Sequence, residues 1–264
     1  MSAAGDRTVL DLPRLLEVAL DAARAGGEIV RSAFGAARDV RAKGPGDWVS
    51  ATDTASERAV RALLREGAPE LPVFGEEEGG ERAEIGWLVD PLDGTANFLH
   101  RYPVVGVSIG LVVGREPVVG VVHAPLLGDT YWATAGGGAF RDGTRLTVSE
   151  RPPAEAICAT GFPFRAKRER LPEYLPVFER ALTTFEDLRR AGAASLDLAW
   201  TAAGVYDGYF EQGLGPWDVA AGALLVREAG GVVTDWRGDP TAWLVSGDIV
   251  AAPPPIHARL QTLL

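Results

Sequence analysis

Asp90 and Asp93 stand three residues apart in the run Trp87-Leu-Val-Asp-Pro-Leu-Asp-Gly-Thr-Ala-Asn-Phe98, where an apolar, strand-like stretch gives out. Pro91 turns the backbone, so two carboxylates leaving a strand end can converge on one point. Gly94 and Thr95 follow and offer backbone N–H groups at a turn. Hard oxygen ligands beside an anion-accepting turn describe a magnesium-dependent phosphate site. The same residues have plainer readings, since Asp-Gly is a common hairpin signal and Asp93 can cap a short helix. The other acidic segments decide between them.

Val73-Phe-Gly-Glu-Glu-Glu-Gly79 is a short apolar strand ending in three acids. Glu78 reads as a solvated loop residue, whereas Glu76, first after the strand, can point back into a site. Gly215-Pro-Trp-Asp218 precedes an apolar run closed by a glycine pair, which reads as a helix opened by Asp218 as N-cap. A capping carboxylate still presents its second oxygen to a metal. Asp47 and Asp53 lie just before a helical pattern over 55–64, where Asp53 or Thr54 with Glu57 makes a capping signal.

Together these segments resemble the signatures of the inositol monophosphatase family, the lithium-sensitive, magnesium-dependent sugar-phosphate phosphatases. The matching pieces are Asp47-Trp-Val-Ser-Ala-Thr-Asp53, Gly75-Glu-Glu77, Asp90-Pro-Leu-Asp-Gly-Thr-Ala-Asn-Phe98 and Trp217-Asp-Val-Ala-Ala-Gly222, with a looser fifth at Gly192-Ala-Ala-Ser-Leu-Asp-Leu-Ala199. The resemblance implies a first Mg2+ on Glu76, Asp90 and the Leu92 carbonyl, and a second on Asp90, Asp93 and Asp218. A third, weaker ion is implied near Glu76. It also implies that Gly94 and Thr95 bind phosphate and that Thr95, relayed from Asp53, orients the attacking water. Glu211 and the Ala194 N–H would contact polyol hydroxyls, with Asp93 and Asp218 beside them and Asp47 and Glu77 as outer supports. Ala193 stands where Ser or Thr is usual, with Ser195 two positions on, which puts one hydroxyl contact in question. Direct in-line hydrolysis by water needs no histidine, and His100, His123 and His257 all lie outside the acidic clusters. His100 is placed near the site entrance and His257 at the surface.

Three rivals bear on this. Gly106-Val-Ser-Ile-Gly110 fits the serine-hydrolase elbow, but that motif needs a helix after the serine, and the flanks here are β-branched. A non-catalytic, metal-binding regulatory role is the second. Within the family, 3′-phosphoadenosine 5′-phosphate, fructose 1,6-bisphosphate and histidinol phosphate compete with inositol 1-phosphate. Glu211 favours a neutral polyol over a second phosphate by like-charge repulsion.

The elements that must position these residues read as follows. Leu15, Leu16, Ala19, Leu20 and Ala23 have helical spacing within 12–34. Strand patterns cover 87–89, 104–113, 117–123, 130–135 and 139–141, separated by short turns that favour antiparallel pairing. After Arg151-Pro-Pro153 the pattern alternates: strand 156–160, helix 171–182, helix 195–203, strand 206–210, helix 219–228, strands 232–234 and 243–245, helix 255–264. The expected fold is mixed α+β and α/β, with an antiparallel N-terminal sheet and a smaller mixed C-terminal sheet. The resemblance implies a layered αβαβα sandwich. The expected division is 1–150, carrying most metal ligands, and 151–264, carrying Asp218 and the polyol contacts.

A formal charge of −10 argues against a nucleic-acid partner, because phosphate backbones reward clustered Lys and Arg. No apolar run is long enough to cross a bilayer, and residues 1–7 lack a signal pattern. The single cysteine, Cys158, sits in an apolar stretch and fits a core role in a reducing cytoplasm. A homodimer is implied by the resemblance alone.

Overall fold

The computed structural model describes residues 10–36, 39–44, 47–163 and 167–264. Helix α1 (Leu12–Ala33) starts where Asp11 accepts from the Arg14 N–H at 3.2 Å and Pro13 fixes the first turn. A short arm, β1 (Arg41–Gly44) paired antiparallel with β2 (Asp47–Val49), leads into α2 (Ala51–Gly67). The N-cap of α2 is Ser50, not Asp53 or Thr54, and Asp53 completes a capping box from the third helical position. Gly26 lets α2 lie close on α1, since a Cβ there would meet Ser56 Oγ and Val60 Cγ2 at 2.8 Å.

The large sheet comprises β3 (Val73–Gly75), β4 (Ile85–Asp93), β5 (Gly106–Val113), β6 (Glu116–Ala124), β7 (Asp129–Thr134), β8 (Gly138–Arg141) and β9 (Thr144–Arg145), in that spatial order. Helix α3 (Thr95–Leu99) interrupts it after β4. Pairing is antiparallel as expected except at the edge, where β3 runs parallel to β4.

The remaining elements are β10 (Ile157–Thr160), α4 (Lys167–Thr184), β11 (Asp187–Arg189), α5 (Ala194–Ala202), β12 (Gly208–Glu211), α6 (Pro216–Glu228), β13 (Val232–Thr234), α7 (Trp243–Ser246), β14 (Ile249–Ala252) and α8 (Pro254–Gln261). The strands form a mixed sheet in the order β11-β10-β12-β14-β13. Residues 243–245, expected as a strand, are helical instead. The Trp243 indole N–H donates to Pro240 O at 2.8 Å and Gly247 ends the turn at φ 70°, so the apolar triplet is spent on a single turn. The strand at this place is β14, four residues later. Helix α6 begins at Pro216 with Gly215 as N-cap, so Asp218 sits at the third position, where its Oδ2 accepts from the Gly215 N–H at 2.6 Å.

Three apolar cores separate five layers. Leu15 and Val60 meet Trp87 and Ile109 between α1–α2 and the large sheet. Leu88 and Val122 on the opposite sheet face meet Leu198 and Leu225 of α5–α6, which also cover Tyr209 and Ala251 of the small sheet. Phe210 and Val250 on its far face meet Tyr174 and Ile256 of α4 and α8. The αβαβα sandwich is present. Both faces of each sheet are covered, which is why strands such as β5 read as unbroken apolar runs rather than alternating ones.

Candidate active site

Register brings the first two carboxylates together. The parallel pairs Val73↔Trp87, Phe74↔Leu88 and Gly75↔Val89 place Glu76 and Asp90 at neighbouring strand exits, and the Glu76 N–H donates to Val89 O at 3.0 Å. Helix α6 supplies the third. It lies directly on the sheet because Gly110 and Gly120 carry no side chain: a Cβ on Gly110 would meet Ala220 Cβ at 2.8 Å, and one on Gly120 would meet Ala221 O at 2.8 Å. Glu76, Asp90 and Asp218 then present oxygens that all lie within 4.8 Å of one another. These carboxylates are largely buried and share one sign, a donor set of hard oxygens suited to a divalent cation such as magnesium. Burial, then Glu76, Asp93 and Asp218, push the Asp90 carboxyl well above its usual range.

Asp93 sits beside this trio without belonging to it. Its Oδ2 accepts from Ser195 N at 2.7 Å and Ser195 Oγ at 2.6 Å. Burial, with Asp218 adding to it, raises its pKa to about 7 against the help of Ser195 and the Ala194 N–H. The displaced Ser195 thus serves Asp93, and so does the Ala194 backbone. Ala193 is the N-cap of α5 and contributes no side-chain bond.

Asp53 and Thr95 form the expected pair, with Thr95 Oγ1 donating to Asp53 Oδ1 at 2.8 Å and lying 3.1 Å from Leu92 O. Ser50 N and Oγ donate to Asp53 Oδ2 at 2.8 and 2.6 Å, yet burial still raises the Asp53 pKa. Gly94 has φ 89°, a conformation that favours glycine, and a Cβ there would meet Val104 O at 2.9 Å. Asn97 Nδ2 donates to Val104 O at 2.8 Å and Ala191 O at 2.9 Å, tying α3 to the segment that enters α5.

Glu77 is held by Lys43, whose Nζ lies 2.5 Å from Glu77 Oε1 and 3.1 Å from Glu76 Oε1. Burial works to lower the Lys43 pKa, but Glu76 and Glu77 outweigh it and raise it. Only the backbone of Asp47 is described; its side chain lies outside the described residues. Glu211 closes β12, buried beside Asp218 and Asp93, with a pKa raised to about 7 by burial.

Four residues act here in ways that no sequence signal pointed to, Glu57 reading from the sequence only as a capping partner. Glu57 accepts from the Glu77 and Glu78 N–H groups at 2.7 and 3.0 Å, and Arg61 Nε pairs with Glu57 Oε1 at 2.7 Å, so this buried pair fixes the turn that carries Glu76. Lys43 is one of only two lysines, a rarity that could have drawn attention to it. Asp197 on α5 is 1 % exposed, and burial, then Glu211 and Asp93, push its carboxyl well above the usual range.

Gly106-Val-Ser-Ile-Gly110 is no nucleophile elbow. Ser108 lies mid-strand, wholly buried, and its Oγ donates to Trp217 O at 2.9 Å. Gly106, Ser108 and Gly110 share one strand face and seat α5 and α6 against it. Cys158 is core, as expected. His257 is not a surface residue: it is buried, with Nε2 2.9 Å from Thr234 Oγ1, because the inner face of α8 packs on the small sheet.

A sequence profile described as "Inositol monophosphatase family" matches residues 11–264. The chain is 38 % identical over 252 residues to a protein of Aquifex aeolicus named fructose-1,6-bisphosphatase/inositol-1-monophosphatase, covering 94 % of each. It is 40 % identical over 246 residues to Nus factor SuhB of Escherichia coli, covering 91 % of each. The solved inositol monophosphatase of Anabaena sp. superposes with a TM-score of 0.86 at 34 % identity, covering 96 % of both chains.

Proposed function

Since the chain belongs to the inositol monophosphatase family, phosphatases of phosphorylated small molecules, we propose that it hydrolyses inositol 1-phosphate and related polyol phosphates with magnesium. The meeting of Glu76, Asp90 and Asp218 within 4.8 Å, next to the Asp53–Thr95 hydrogen bond, carries this reading. Glu76, Asp90 and the Leu92 carbonyl would hold one ion, and Asp90, Asp93 and Asp218 the other. Bound ions would supply charge neutralisation to the phosphoryl oxygens and lower the pKa of water at the site.

The rest falls to the chain itself. Gly94 and Thr95 offer N–H groups to the phosphate. Thr95 Oγ1, donating its own proton to Asp53 Oδ1, keeps lone pairs that accept a proton from the attacking water. Asp53, its pKa raised by burial, is a suitable end for that relay. In-line attack forms the new P–O bond as the bond to the polyol oxygen breaks, and the departing oxygen takes a proton from solvent water. Glu211 accepts from ring hydroxyls, and the Ala194 backbone lines the same side. Asp47 and Glu77 serve as outer supports, and residues 1–150 and 151–264 meet at the site.

A second reading, fructose 1,6-bisphosphate, is favoured by the name of the Aquifex relative and by Arg190, whose charge acts on Glu211 and Asp197. The expected absence of nucleic acid among its partners finds no support in relatives named Nus factor SuhB, and those names also favour a non-enzymatic role. Among the described residues no helix is long and apolar enough to cross a membrane. The reading is completed by a cytoplasmic homodimer inhibited by lithium. Phosphate release from inositol 1-phosphate, fructose 1,6-bisphosphate, histidinol phosphate and 3′-phosphoadenosine 5′-phosphate, with and without magnesium, tests it. Fastest magnesium-dependent release from inositol 1-phosphate is expected; no release from any ester would sink the enzymatic reading.

A further inference from the structure

Glu211 enters the candidate site from the last position of β12, and two residues outside the carboxylate cluster decide where its carboxylate lies. Tyr209, two residues earlier on the same strand face and wholly buried, donates its hydroxyl to Glu211 Oε2 at 2.5 Å. The parallel register of β10 and β12, with Thr160 opposite Phe210, carries Gly161 alongside Glu211. A Cβ on Gly161 would fall inside the Glu211 carboxylate. Gly161 is not among the positive-φ glycines, so space rather than backbone conformation demands a glycine there. The Trp236 indole N–H donates to the Glu211 carbonyl at 3.0 Å and fixes the main chain beneath it.

We propose that Gly161 and Tyr209 set the substrate specificity of the site: Tyr209 is a positioning residue that orients Glu211, and Gly161 supplies the space that carboxylate occupies. Oε2 is committed to Tyr209, which leaves Oε1 as the acceptor a substrate hydroxyl would meet. The ligand class is a neutral polyol bearing a single phosphate ester, because a fixed carboxylate accepts from hydroxyls and repels a second phosphate. This inference rests on the polyol-phosphatase reading.

The test compares kcat/KM for inositol 1-phosphate with that for 4-nitrophenyl phosphate, which has no polyol hydroxyl. Tyr209→Phe should lower the ratio of the two roughly tenfold, chiefly through KM for inositol phosphate. Gly161→Ala should lower it further, and Glu211→Asp, whose shorter side chain withdraws from Gly161, should restore part of that loss. In a Glu211→Ala background Tyr209→Phe should change the ratio no more. Thermal melts identify a variant that fails to fold, and Tyr209→Phe decides alone if Gly161→Ala does. Equal loss on both substrates, an unchanged ratio, or additivity with Glu211→Ala overturns the proposal. A wild-type protein that hydrolyses both esters without preferring inositol phosphate removes the polyol reading itself, whereas flat variants of a selective wild type remove only the inference.

Discussion

Asp93 is pushed toward its protonated form by burial and by Asp218, and only the donors at the start of α5 work the other way. Its pKa of about 7 lies above the unfolded value, so the folded metal-free chain holds a proton that the unfolded chain has released. That contribution to stability is fully present below pH ~4 and is lost as pH rises through about 7. Asp93→Asn removes the titration while keeping an acceptor for Ser195. In chelator, the variant should exceed the wild type by on the order of 2 kcal/mol at pH 8, with the gap narrower at pH 5 and closed only below pH ~4. Melts showing the opposite trend would refute the assignment. With magnesium restored, Asp93→Asn should have lost turnover; full activity would contradict the two-ion scheme. Ser195→Ala strips a donor from Asp93 and should weaken magnesium binding about tenfold, read by calorimetry.

At the scale of elements, the small-residue face where α6 meets β5 and β6 sets the position of Asp218. Gly120→Ala places a methyl against the main chain of Ala221, which has no room to give, and should cost about 1–3 kcal/mol in denaturant unfolding. It should also lower kcat, because moving α6 moves Asp218. Ser108→Ala should cost about 1 kcal/mol through the lost bond to Trp217 O. Ser108 should resist fluorophosphonate labelling; covalent capture there would revive the hydrolase reading. The strand exits were legible because apolar runs ended abruptly in acids, and the helix after Gly215 because an apolar run opened at Asp218 and closed at a glycine pair. Helix α7 was not, since three apolar residues fit a strand and a single turn equally well, and the bonds that separate them, Trp243 to Pro240 O and Ser246 N–H to Ala242 O, form only in the folded chain. Lys43, Arg61 and the hold of Glu57 on the turn that carries Glu76 were illegible for another reason. Their roles arise from loop and arm contacts that bring 43, 57 and 76 together, and charged residues on a surface arm or helix read as solvated until that folding is known.

For the whole molecule, carboxylates from the large sheet and from the buried α5–α6 layer meet only when the layers stack, so the proposed cation binding would be linked to global folding. Magnesium at about a hundred times its dissociation constant should stabilise the chain by about 2.7 kcal/mol. The gain in Tm should be larger at pH 8 than at pH 6, because protons on Asp90 and Asp93 compete with the ion. A gain independent of pH would count against carboxylate ligation. Residues 81–84 are exposed, and between them and β3 the turn is pinned at Gly75↔Gly79. The spacing of Glu76 from Asp90 in space therefore depends on ladder register, not on the length of the connection. Insertions of a few residues at 81–84 should leave activity standing, while deleting one residue from 86–89 would turn Asp90 toward the opposite sheet face. Length variation among descendants of this chain is thus free in the connection and forbidden in the strand.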